Sequence, residues 1–91
     1  MNVSEQWRDA HIMLEDFREE VINNSYSRME TSFKFRDKFL EIKETHNSIL
    51  DEELTELFDH LRFSITCCEN VFMVIELLGQ AKLLAELRIV D

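Results

Sequence analysis

The stretch FSITCCEN, residues 63–70, decides the fold of this chain. A leucine-rich helical pattern precedes it, and the apolar run VFMVIELLGQAKLL, residues 71–84, follows it. No glycine or proline punctuates the stretch. Yet Ser64, Thr66 and Asn70 are mediocre helix formers, and Phe63, Ile65 and Thr66 crowd the turn before them. A tight turn near Thr66–Asn70 divides the chain into four helices of about 20 residues each, the pattern of an up-down bundle. Without that turn, one helix of about 37 residues runs on from Asp51, at 1.5 Å of rise per residue. Such a three-helix chain leaves too much apolar surface bare for a monomer and calls for an intertwined dimer. The four-helix reading is preferred.

Downstream of the turn, Val71 to Leu78 are interrupted only by Glu76, so that no face of this helix is clearly polar. A groove between other helices covers about half a helix circumference. The segment is therefore either threaded between three companions or turned outward to meet a second protein. Phe72, Ile75 and Gly79 are the residues expected at a self-association face, with a homodimer as the simplest product. Gly79 permits close approach, and Ala81 and Ala85 continue a small-residue side.

Upstream, Leu50, Leu54, Leu57 and Leu61 make the stripe of the third helix, broadened by Phe58 and Ile65. Ser48 or Asp51 can cap it, and Asp51, Glu52 and Glu53 complement the positive end of its dipole. In the second helix, Phe35, Phe39 and Ile42 form one seam and Met29, Phe33 and Leu40 an adjoining one. Its start is marked by Ser27 with Glu30 three residues on, the reciprocal capping box. NNSYS, residues 23–27, separates it from the first helix, where Trp7, Ala10, Leu14, Phe17 and Val21 follow at spacings of 3, 4, 3 and 4. Ser4 is the expected cap of that first helix.

The composition agrees with an all-α single domain over residues 1–91. Hydrophobic residues make up 45% of the chain, enough for a core, while one glycine and no proline leave little for the turns of a sheet. The formal net charge is −9. A phosphate backbone would be repelled by such a surface, so direct nucleic-acid binding is disfavoured. Charge is uneven: residues 27–47 carry 4 acids against 5 bases, whereas residues 48–66 carry 5 against 1. Cys67 and Cys68 read as small buried hydrophobes of a reducing compartment, and an intrachain bridge between neighbours would be strained. The amino terminus has no secretion pattern, and the last helix is too polar to span a bilayer. A cytoplasmic location follows, with no membrane contact.

Chemistry finds little purchase. The pairs His11/Glu15 and Glu56/His60 each share a helix face, but no Glu-x-x-His motif of a helical di-iron site occurs, and no metal or cofactor is expected. A single glycine excludes a glycine-rich phosphate loop. Apolar surroundings raise, rather than lower, a thiol pKa. No catalytic residue is assigned, and the chain is not expected to be an enzyme.

Surfaces remain. Glu15, Asp16, Glu19 and Glu20 form an acidic patch on the first helix, and Asp51, Glu52, Glu53, Glu56 and Asp59 form a second on the third. Of these, Glu15, Glu19, Glu20, Glu52, Glu53, Glu56 and Asp59 are the expected partner-binding residues. Such patches steer association with a basic partner, though the basic second helix can also neutralise them. The expected function is that of a small non-catalytic regulator acting by protein–protein contact, its sharpest form an acidic inhibitor of the immunity-protein type that masks a basic partner site. The alternative is a structural, oligomerising subunit or adaptor that assembles through its apolar last helix.

Overall fold

The computed structural model describes residues 3–89. Four helices follow in order: α1 (Val3–Asn24), α2 (Arg28–Thr45), α3 (Glu52–Cys67) and α4 (Val71–Leu87). Short connections make successive helices antiparallel neighbours, and α4 returns to α1 to close a four-helix bundle of 36 × 22 × 20 Å. α1 lies closest to α4, and α2 to α3, so α1 and α3 stand on a diagonal.

The turn at 63–70 is present. α3 ends at Cys67, Cys68 adopts an extended conformation, and Asn70 caps α4 by accepting a hydrogen bond from the Met73 amide at 3.1 Å. Side chains assist the termination: Thr66 Oγ1 donates to the Arg62 carbonyl, and the Cys68 thiol to that of Ser64. The Arg28 guanidinium reaches across from the start of α2 and donates to the Cys68 carbonyl. This bond ties the two connections at one end of the bundle. One long helix from Asp51 is thereby excluded.

At the opposite end, Gln6 supplies the tie. Its amide donates to the Ile49 carbonyl at 3.1 Å and accepts from the Asp51 amide. Asp51 occupies the cap position of α3 but makes no side-chain cap bond, because Gln6 organises that loop instead. Asn47 and Ser48 both carry positive φ in the same loop, a conformation that asparagine tolerates better than most residues. The capping box of α2 forms as expected, with Ser27 Oγ accepting from the Glu30 amide and Glu30 Oε1 accepting from the Ser27 amide. Ser4 differs from expectation. The helix already includes Val3, which places Ser4 inside the first turn.

The main seam of each helix reaches the core, whereas the adjoining seam of α2, Met29, Phe33 and Leu40, is exposed. Trp7, Ala10, Leu14, Phe17 and Val21 of α1 are all buried, as are Phe35, Phe39 and Ile42 of α2. In α3 the buried line is Leu54, Phe58, Leu61 and Ile65, while Leu50 and Leu57 sit half-buried at its edge. Four rings link three helices: Phe17 meets Phe35 at 6.2 Å, and Phe58 takes Phe35 and Phe39 edge-on at 5.8 and 5.0 Å.

α4 is not threaded through the others. Only Val74, Leu78, Ala81 and Ala85 are buried; Phe72, Met73, Leu83, Leu84 and Leu87 are exposed. With two neighbours at a corner of the bundle, a helix has one buried stripe and must leave the rest of its circumference to solvent. The small side chains at 81 and 85 let α4 approach α1 closely.

Candidate functional site

The acidic residues of the expected binding patches do not form one surface. Glu15 and Glu19 are exposed on the outer side of α1, while Glu20 faces the α2 side. Glu52, Glu53, Glu56 and Asp59 belong to α3, diagonally across the bundle. Within that second group, Glu53 and Glu56 line the α3–α4 side, and Glu53 is ion-paired with Arg88. A single partner surface cannot engage both sets without wrapping the molecule.

A different arrangement of carboxylates emerges between α1 and α2. Because α1 packs most closely on α4, it stands off from α2 and leaves a cleft of about 410 Å³. Ile12, Met13, Phe17 and Ile42 give this cleft an apolar floor, and Asp9, Asp16, Glu20 and Glu41 rim it together with Lys38 and Thr45. Asp37 and Glu44, four residues before Glu41 and three after it, share its side of α2. At one end Asp9 Oδ2 lies 2.8 Å from Nε2 of the buried His46.

The cations of α2 neutralise the cleft only in part, Arg36 being ion-paired with Asp37 at 3.8 Å. Lys34 Nζ lies 4.8 Å from the Tyr26 ring centre, Lys43 Nζ 5.1 Å from that of Phe39, and the Arg36 guanidinium 5.4 Å from that of Phe33. Cations in these positions interact with the negative faces of rings. Only Lys38 stands on the rim. Asp9 and Glu41 escaped the sequence reading, which placed Asp16 in the acidic patch of α1 and took α2 as an opposite-sign helix that would pair with its neighbours. The signal was nevertheless available. Asp9, Asp16 and Glu20 recur at seven and four residues, and therefore share one side of α1.

A second cleft, also of about 410 Å³, lies on the opposite side of the bundle between α3 and α4. Trp7 forms its base, Leu57 and Leu84 line it, and Glu53, Glu56, His60 and Arg88 surround its mouth. The Arg88 guanidinium lies 5.9 Å from the Trp7 ring centre.

Of the residues expected to mediate self-association, Phe72 is open, with 78% of its surface exposed. Ile75 and Gly79 are only partly exposed, on the side of α4 that faces α1. Arg18 Nε donates to the Ile75 carbonyl at 3.1 Å and would lie 3.2 Å from a Cβ added at Gly79. Gly79 thus accommodates the Arg18 side chain rather than another backbone.

The two cysteines differ. Cys67 is exposed, contrary to the expectation that both are buried, and Cys68 is buried. Burial pushes the Cys68 thiol above its ordinary pKa, an effect that Arg28 partly opposes and Cys67 reinforces. Among the described residues, no group of three or more His, Cys, Asp or Glu side chains could hold a metal ion, and no helix is long and apolar enough to cross a membrane.

No protein-family model matches the chain, and no curated protein or solved structure is significantly similar to it. The class defined by the fold is a four-helix bundle.

Proposed function

We propose that this protein is a non-catalytic interaction module that binds a basic partner protein through the α1–α2 cleft and thereby masks the partner's basic site. The observation that carries this reading is the combination of four carboxylates with one lysine around an apolar floor. Charge alone would attract any cation. Apolar contact at the floor requires a ligand that carries aliphatic or aromatic groups beside its positive charges, as an amphipathic segment of a basic protein does. Net charge of −9 adds long-range attraction and raises the association rate with such a partner.

Affinity capture from the native lysate, eluted in rising salt, tests the proposal when three versions of the chain are compared. The wild-type protein and a Glu52→Lys/Glu56→Lys variant of α3 should retain the same basic polypeptide and release it at moderate salt. Asp16→Lys/Glu20→Lys/Glu41→Lys should fail to retain it. Equal retention by all three versions would overturn the assignment.

A further inference from the structure

The opposite side of the bundle carries a surface of another kind. Along α4, Met73, Leu77, Gln80, Leu84 and Leu87 follow at spacings of 4, 3, 4 and 3, a complete heptad seam. It is offset by one residue from the buried seam of Val74, Leu78, Ala81 and Ala85, and so points about 100° away from it. Leu77 is partly buried beside α3, whereas Met73, Leu84 and Leu87 are 45, 52 and 79% exposed. The intramolecular packing of the bundle accounts for the first seam and leaves the second unpartnered.

We infer that this outer seam of α4 is a homodimer interface, in which α4 of a second copy packs antiparallel about a two-fold axis near Gln80. The second copy is favoured over an unrelated partner because the seam reads nearly the same from either end. Met73 and Leu87 occupy its extremes, Leu77 and Leu84 the positions within them, and Gln80 the middle. An antiparallel two-fold pairing sets Met73 against Leu87 of the second copy, Leu77 near Leu84, and Gln80 against itself. Isologous contacts of this kind require a self-complementary surface. A carboxamide supplies self-complementarity in polar form, since it both donates and accepts and can pair with its own copy. One polar residue within an apolar heptad seam also fixes orientation and register.

The available area is sufficient. Met73, Leu84 and Leu87 of the seam, with Phe72 and Leu83 that flank it, together expose the equivalent of about three whole side chains. At roughly 150–200 Å² for a large apolar residue, a symmetric pair would bury on the order of 1,000 Å² from these alone, the scale at which stable interfaces begin. Glu76, four residues before Gln80, is an exposed carboxylate on this face, between the seam and the flanking Phe72 and Leu83. Glu53, on its α3 flank, is paired with Arg88. The inference is independent of the partner reading, because the α1–α2 cleft lies on the far side of the bundle and stays open in such a dimer.

Analytical ultracentrifugation tests the interface, together with thiol cross-linking in a Cys67→Ser background. The wild-type chain should sediment at twice the monomer mass at micromolar concentration. Leu84→Glu/Leu87→Glu should sediment as a monomer with unchanged helical circular dichroism, both positions being exposed. Gln80→Cys should be joined to its own copy by a short bismaleimide, and Glu19→Cys on α1 should not. A wild-type monomer up to millimolar concentration would overturn the inference. So would a dimer that survives Leu84→Glu/Leu87→Glu, or one in which Gln80→Cys fails to cross-link.

Discussion

The two sides of this bundle solve the same packing problem with opposite surfaces. Between α1 and α2, a cleft with an apolar floor is rimmed by Asp9, Asp16, Glu20 and Glu41. Between α3 and α4, a cleft of equal volume is lined by Leu57 and Leu84, and of its two acids, Glu53 and Glu56, the first is ion-paired with Arg88. Both clefts arise from one geometric cause: α1 packs tightly on α4 and α2 on α3, so that the other two helix pairs stand apart. What differs is the chemistry of the rims. A rim of like charges repels a second copy of itself and attracts cations, whereas an apolar seam is indifferent to salt and can meet its own copy.

Substitutions can break or sharpen this contrast. The largest effect is expected from Phe58→Ala, which removes a fully buried ring that contacts both Phe35 and Phe39. A loss of about 3–5 kcal/mol in chemical denaturation is expected, and both sides of the molecule should fail together because they share that core. A loss confined to one side would contradict a common core.

Gln6→Leu comes next. It leaves the Ile49 carbonyl and the Asp51 amide without their side-chain partner, at a cost of about 1–3 kcal/mol. Amide exchange should accelerate in residues 46–52 before it does in the connection at 68–70, which Arg28 holds separately.

Gly79→Ala tests the α1–α4 contact on a smaller scale. Replacing a mid-helix glycine gains about 1 kcal/mol of helix propensity. Here the new methyl would lie 3.2 Å from Arg18 Nε, which must give way and weaken its bond to Ile75. The measured gain should therefore fall short of 1 kcal/mol. The full gain should return in an Arg18→Ala background, a difference read by a double-mutant cycle.

A smaller, pH-dependent effect belongs to Cys68. Its folded pKa is raised by burial, so its contribution to stability is complete below the ordinary thiol range. Above that range the unfolded thiol ionises first and stability falls with rising pH. Cys68→Ala should flatten this alkaline decline in a urea series collected at stepped pH. Alkylation under native conditions should modify Cys67 well before Cys68. The smallest effect on stability is expected from Asp16→Lys/Glu20→Lys, within about 0.5 kcal/mol because these are surface changes.

Much of the fold was legible in the chain. The spacings of Trp7 through Val21 and of Phe35 through Ile42 gave core faces that are buried in the structure, and Ser27 with Glu30 marked a helix start to the residue. The turn at Thr66–Asn70 could be read from poor helix formers without any glycine or proline. Gln6 was not legible, because nothing local shows that a glutamine will meet a loop more than forty residues away. The candidate site was harder still. Reading each helix separately grouped acids by density along the chain, which joined Asp16 and Glu20 to Glu15 and Glu19 and left out Asp9. Which side of α1 faces α2 is a property of the assembled bundle, and it depends on the small residues of α4 that draw α1 away.

The contrast between the two sides is tested most directly by an amide NMR titration with a synthetic amphipathic helix of leucine and lysine as the basic probe, at low and then at high salt. Shifts should appear at Asp9, Ile12, Asp16, Lys38 and Glu41, disappear as salt rises, and leave Met73 to Leu87 unmoved. Shifts centred on Glu52 to Asp59 or along α4, or a response insensitive to salt, would contradict the assignment of the α1–α2 cleft to a basic partner.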